Sequence, residues 1–329
     1  MAPTRPAFPS AELGTEAHQG DEAMTKLLNA WDRFWFAPQS TSTLAIIRIS
    51  FGLLVLAWTL SLAPDLTAFF SGHGIDPQAS YSDPGTWSAF ELLPAGEGAG
   101  TAVFIGLVVA SLCLTVGLGT RAAAVLVFVG VLSLERRDPF VFNSGDGLIR
   151  ILAFYLMLAP SGAALSLDSL RRGRDRFWAF PRRAPWALRM TQLQLSILYL
   201  AAAWAKVRGT TWNDGTAISY ALRVGDLKRL SVPAFLSHTA TISNLLTYGT
   251  LAIELSLAVL VWNRKLRPWV LGFGVALHLG IDWSIRVGFF SLAVFILFLA
   301  FLPPDSADRL ILSVRDRFRP RVAEAPVPA

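Results

Sequence analysis

A single cysteine, Cys113, lies inside an apolar run. With one thiol the chain can build no internal disulfide, no thiolate metal cluster and no two-cysteine redox centre. Charge is also scarce: Asp, Glu, Lys and Arg make up 16% of the 329 residues, against about 25% in a soluble domain. No Walker loop, no GxGxxG after a strand, no HExxH and no internal repeat is present. Residues 1–23 lack an apolar segment that could serve as a signal peptide. A basic patch interleaved with aromatics is missing too, so the net charge of +6 does not point to nucleic acid.

What fills the sequence instead is hydrocarbon: 53% of residues are hydrophobic and the mean hydropathy is +0.48. A membrane span takes about 20 mostly apolar residues. The runs predict eight helices: Leu44–Ala63, Thr101–Leu118, Arg121–Leu134, Gly147–Leu165, Ala187–Lys206, Leu245–Trp262, Pro268–Trp283 and Arg286–Leu302. The expected fold is all-α, a polytopic bundle in the lipid bilayer with about eight transmembrane helices. Segments 1–43, 166–186, 263–267 and 303–329, with the turn at Arg121, hold 18 of the 29 Lys and Arg residues. The positive-inside rule then places both termini in the cytoplasm, as in a multi-pass protein of a bacterial inner (plasma) membrane.

Four units follow. Residues 1–23 read as a disordered tail and 24–43 as an interfacial helix, with Trp31, Phe34, Trp35 and Phe36 clustered on it. Residues 44–302 form the transmembrane domain, and 303–329 a cytoplasmic tail, disordered from Arg319 on.

Ionisable side chains in apolar spans are costly and mark function or pairing. Lys206 ends a helical stripe that carries Arg189, Gln192, Ser196 and Tyr199 on one face. At a helix end, a lysine either snorkels to the interface or faces an internal cavity. Arg48, Arg150 and Glu254 read as intramembrane ion pairs, with Glu254 partnered by Arg48 or Arg150 and Asp146 by Arg150. Lys206, His278, Asp282 and Asp146 all fall at the predicted outer ends of their helices and read as catalytic candidates. An amine in a water-poor pocket becomes a usable base or a Schiff-base nucleophile; in the first case His278 would bind the resulting anion, and Asp282 would orient the imidazole. Asn143, Tyr199, Trp212 and His73 are the candidate substrate contacts. A metal set of His278, Asp282, Asp146 and His73 is the weaker reading, since the spans hold one histidine. His18 and His238 read as exposed loop residues.

Several blocks also resemble one family. They are Ile47-Arg48-Ile49-Ser50-Phe51-Gly52, Asn143-Ser144-Gly145-Asp146-Gly147-Leu148, Gln192-Leu193-Gln194 with Tyr199, and Ala205-Lys206-Val207 followed by Trp212-Asn213-Asp214-Gly215. The His278 helix leading into Gly288-Phe289-Phe290 completes the set. Over Leu44–Leu302 the chain is similar to the horizontally transferred transmembrane (HTTM) domain family, bacterial relatives of vitamin K-dependent gamma-glutamyl carboxylase. The resemblance implies that Lys206 deprotonates a reduced naphthoquinone of the menaquinone type, starting its oxygenation to the epoxide, on the outer side of the membrane. Two carboxylase features are missing: the large lumenal C-terminal portion, and a histidine in the region that reads Asn143–Gly147 here. Three functions follow as expectations. One is a lysine-base, quinol-linked enzyme acting on an exported peptide or small molecule. The second is a non-catalytic accessory in peptide-toxin maturation or export. The third, disfavoured by the lack of inverted repeats, is a transporter using Glu254, Arg48 and His278.

Overall fold

The computed structural model describes residues 12–75, 87–93 and 98–317. Its architecture is all-α, and each of the eight apolar runs contains a helix. We number the long helices α1 (Glu12–Phe36), α2 (Ser42–Ser61), α3 (Gly98–Val116), α4 (Thr120–Arg137) and α5 (Ser144–Leu158). There follow α6 (Trp186–Val207), α7 (Ala240–Val259), α8 (Arg267–Ser284), α9 (Phe290–Leu299) and α10 (Pro304–Arg317).

Several boundaries correct the sequence expectation. The expected tail at 1–23 is helical from Glu12, and α10 occupies much of the expected tail at 303–329. The disordered stretch expected from Arg319 lies outside the described residues. Helix α5 stops at Leu158 rather than Leu165, because Ala159 (φ −77°, ψ 149°) takes the extended conformation that a following proline imposes. Among the described residues, three segments are by themselves long and apolar enough to cross a membrane: Ser42–Phe70, Gly98–Val116 and Ala240–Trp262. Helices α9 and α10, bent by 102° at their junction, make a fourth if taken together. By length and composition alone, three or four of the about eight expected spans are thus supported among the described residues.

Neighbours in sequence pack in space: α2 on α3, α3 on α4, α4 on α5, α6 on α7 and α7 on α8. Helix α9 then enters the middle and touches α2, α5, α6 and α8. Lipid tails are as apolar as leucine, so helices associate there through close backbone approach and polar contacts. Gly52 of α2 illustrates the first, because a Cβ at that position would overlap Thr115 of α3.

Arg48 illustrates the second. It is fully buried, and its guanidinium donates to the carbonyl oxygens of Ser161 (3.0 Å), Ala164 (3.1 Å) and Leu165 (2.6 Å) in the loop after α5. Gly117, at φ +72°, lies against the same site: a Cβ there would collide with Ser166 and crowd Arg48.

The arginine-rich segments meet at one end of the bundle. Gln39 and Ser40 form a short antiparallel ladder with Arg183 and Arg182. Ser40 Oγ donates to Asp308 (2.7 Å), Thr43 Oγ1 to the Leu302 carbonyl (3.2 Å) and Arg267 to the Phe301 carbonyl (3.4 Å). At the opposite end Arg137 reaches the Ser71 carbonyl (3.3 Å) and Lys228 pairs with Ile285.

Asp168 joins two of the arginine-rich segments. Its carboxylate accepts from Gly119 N–H, Thr120 N–H and Thr120 Oγ1, each at 2.8 Å, at the start of α4. Burial opposes its charge, but the Thr120 and Gly119 hydrogen bonds, with Arg171 nearby, outweigh it and hold the carboxyl below its ordinary value. A depressed carboxyl stabilises the fold above its unfolded pKa of about 4 and loses that contribution as pH falls through the folded value. Asp168→Asn is accordingly expected to cost about 1 kcal/mol at neutral pH and nothing in acid. Thermal unfolding of both proteins in detergent at pH 7 and pH 3 checks this.

Candidate functional site

The polar stripe of α6 lies on one face, as its spacing predicts, and each member has a partner. Arg189 Nη1 donates to Gln192 Oε1 (2.8 Å), and Gln192 Nε2 to the Ala300 carbonyl (2.7 Å). Ser196 Oγ donates to the Ala258 carbonyl (2.7 Å) and accepts from Trp262 Nε1 (2.9 Å). Tyr199 Oη meets His278 Nε2 at 2.7 Å.

Lys206 completes the stripe, and it turns inward. Its ammonium lies 2.6 and 2.7 Å from the two oxygens of Glu254. The lysine side chain is 21% exposed and the glutamate 8%. Contact between Ser196 and Ala258 sets the antiparallel register of α6 and α7, which brings Tyr248 opposite Lys206. Glu254 lies six residues deeper, roughly 9 Å at the helical rise. Helical side chains tilt toward their own N-terminus, so in this antiparallel pair the two side chains lean toward each other. The register also sets Glu254 within one residue of the level of Tyr199. An ammonium–carboxylate pair and a phenol–imidazole pair thus share one layer of the bundle. Trp212, in the short helix Thr210–Asn213 just after α6, covers the ammonium with its ring centroid at 5.1 Å.

His278 is almost fully buried. Its Nδ1 lies 3.2 Å from Ser291 Oγ, and the rings of Phe290, Phe295 and Phe298 surround it at 5.5 to 6.2 Å. Both ring nitrogens are therefore occupied by hydroxyls, and Asp282 does not orient the imidazole. Asp282 Oδ1 is itself buried without a hydrogen-bond partner among the described residues.

The expected ion pairs are rearranged. Glu254 takes Lys206 rather than Arg48 or Arg150, because the carbonyl-rich loop after α5 claims Arg48. Arg150 pairs with Glu135, across α5 and α4, not with Asp146. Asp146 instead accepts from Trp58 Nε1 (2.7 Å) and, closing a capping box, from Asn143 N–H (2.7 Å). Among the described residues, no three His, Cys, Asp or Glu side chains gather to hold a metal ion, so His278, Asp282, Asp146 and His73 are not assembled into one.

A model of the HTTM domain family matches residues 36–305. The chain belongs to the HTTM domain family. No curated protein and no solved structure matches it. With its apolar helices, membership makes this a membrane protein.

In this HTTM domain the Asn143 and Asp146 cap touches the His278 layer through one residue. Gly145 packs so closely on Phe290 that a Cβ would overlap that backbone, and Phe290 is a ring neighbour of His278. His73 is exposed in the loop after the short helix Leu66–Phe70, at the Ser71 end of the bundle. Two participants escaped the sequence reading. Glu135 sits in a Glu-Arg-Arg run that reads as a helix end, and Ser291 reads as one more small residue in an apolar helix.

The Trp212 loop is pinned where it must be to cover Lys206. Tyr248 Oη donates to the Asn213 carbonyl (2.7 Å) and Ser243 Oγ to the Gly215 carbonyl (3.2 Å). Gly215 has φ +72° and faces Asn244 so closely that no side chain fits.

Proposed function

We propose that this HTTM domain is a proton-transferring enzyme of the plasma membrane, with both termini in the cytoplasm and its site in the outer half of the bundle. HTTM domains are associated with vitamin K-dependent carboxylase, which supports a reduced naphthoquinone of the menaquinone type as the acidic substrate. The observation that carries the reading is the Lys206–Glu254 pair, held at 2.6 and 2.7 Å and still 21% open on the lysine side.

The pairing divides the work. A lysine bonded to a carboxylate is an ammonium, so the resting base is Glu254. A quinol hydroxyl entering beside Trp212 gives its proton to the Glu254 carboxylate. The oxyanion left behind is held by the Lys206 ammonium, which loses its own counter-charge at the same moment. Such a partner is worth most in a site with little water. Trp212 offers a flat face for a naphthoquinone ring. The Tyr199–His278 pair lines the same layer and supplies hydroxyl and imidazole contacts.

The test is epoxide formation by the purified chain in nanodiscs supplied with reduced menaquinone and oxygen, with products read by mass spectrometry. Turnover in the parent, lost in both Lys206→Ala and Glu254→Gln while the proteins stay folded, is the expected result. No epoxide from folded parent protein sinks the quinol reading. A second reading, a non-catalytic accessory in maturation or export of a peptide, draws on the fact that both polar pairs are already satisfied within the bundle. Peptide maturation that survives both substitutions would favour it.

A further inference from the structure

A cavity of about 840 Å³ opens at the arginine-rich end where α6, α8 and α9 meet. Arg182, Arg189, Arg264 and Arg267 line it, and its only acidic lining residue is Asp305. Among the described residues, none of the four arginines pairs with a carboxylate. Three of them are held in place, Arg182 by two hydrogen bonds from its guanidinium to the Pro38 carbonyl (3.2 and 2.8 Å). Arg189 donates to the Phe34 carbonyl (3.1 Å) and to Gln192, with its guanidinium 4.9 Å from the Phe34 ring centroid. Arg267 donates to the carbonyls of Val261, Trp262 and Phe301 and lies 5.5 Å from the Phe301 ring centroid. A guanidinium carries five N–H donors, so all three are fixed in plane with donors to spare. Four cations around one cavity repel each other, and an anion between them relieves that repulsion.

The rest of the lining is apolar. From Arg267 the wall of α8 runs through Leu271 to Val275, about 12 Å of helix, facing Phe295, Phe298 and Leu299 of α9. A free phosphate has no use for that wall, and a neutral lipid has none for the arginines. Basic pockets between helices at the cytoplasmic face suit anionic headgroups. We propose that this cavity binds an anionic phospholipid, its phosphate on Arg264, Arg267 and Arg189 and one acyl chain along Leu271, Val275 and Phe295. Phe295 and Phe298 are also ring neighbours of His278, so the chain ends beneath the polar layer. This site stands independently of any chemistry at Lys206.

Native mass spectrometry of the full chain in detergent tests it, with phosphatidylglycerol titrated against phosphatidylcholine. Arg264 is exposed and donates no side-chain hydrogen bond among the described residues, so Arg264→Gln probes charge without disturbing the fold. Phosphatidylglycerol retention is expected to exceed that of phosphatidylcholine and to fall about fivefold in Arg264→Gln. Val275→Trp, which fills the apolar wall, should abolish retention at unchanged charge. Lys228→Gln, at the other end of the bundle, should change nothing. Equal retention of the two lipids, or indifference to both cavity variants, overturns the proposal. Displacement of phosphatidylglycerol by millimolar inorganic phosphate would overturn the lipid assignment and leave a phosphate site.

Discussion

Arg48→Met is expected to cost on the order of 4 kcal/mol, enough to keep most of the protein from reaching its native fold. The methionine fills the volume but strands the carbonyls of Ser161, Ala164 and Leu165, which share the guanidinium at 2.6 to 3.1 Å. Each buried acceptor left without a donor costs about 1–3 kcal/mol. Arg48→Lys keeps the charge but replaces a planar fork with a single point, so it should recover only part of the loss. Yield of monodisperse protein and thermal midpoint in detergent, compared across the three proteins, give the answer. A methionine variant that purifies with an unchanged midpoint would show that the loop after α5 holds itself.

The second large effect is asymmetric. Lys206→Met leaves a carboxylate that is 8% exposed with no counter-ion, whereas Glu254→Leu leaves an ammonium that is 21% exposed and can swing outward. Removing one partner of a buried pair costs about 3–5 kcal/mol. Lys206→Met is expected toward the upper end of that range, and Glu254→Leu below it. The double variant removes both charges and should regain most of the stability, because an apolar replacement of a buried pair is often neutral. It should also be inactive in the epoxide assay, separating the fold's need for neutrality from the chemistry's need for charge. Thermal unfolding of the four proteins completes the cycle. Single variants as stable as the parent would mean that water already reaches the pair.

The helices were legible because their runs are long, and the breaks that shortened them were legible in part. Pro160 is visible in the sequence and ends α5 at Leu158, while Gly288, at φ +60°, delays α9 to Phe290. The one-face stripe from Arg189 to Lys206 was also readable, since its spacing fixes the face whatever lies opposite. Its partners were not. Nothing local says that Glu254 sits within one residue of the level of Tyr199, because that level comes from the register of α6 against α7. Asp282, one turn from His278, looked like its natural partner. The imidazole nitrogens instead find Tyr199 and Ser291 across helix boundaries. Arg150 found Glu135, a residue hidden among the charges of a helix end. Spacing within a helix is local information, and pairing between helices is not.

The central place of α9 has a consequence for how the protein is made. This ten-residue segment is the last of the apolar runs to leave the ribosome, yet it supplies the surface on which α2, α5 and α6 rest. Until Leu299 has been synthesised, the sides of those helices that face α9 have only lipid, or one another, to lie against. Insertion into the bilayer can proceed helix by helix from the N-terminus, but assembly waits for the C-terminal end. A nascent chain stalled before Phe290 is therefore an inserted bundle with an open slot, the state in which membrane quality control would meet it.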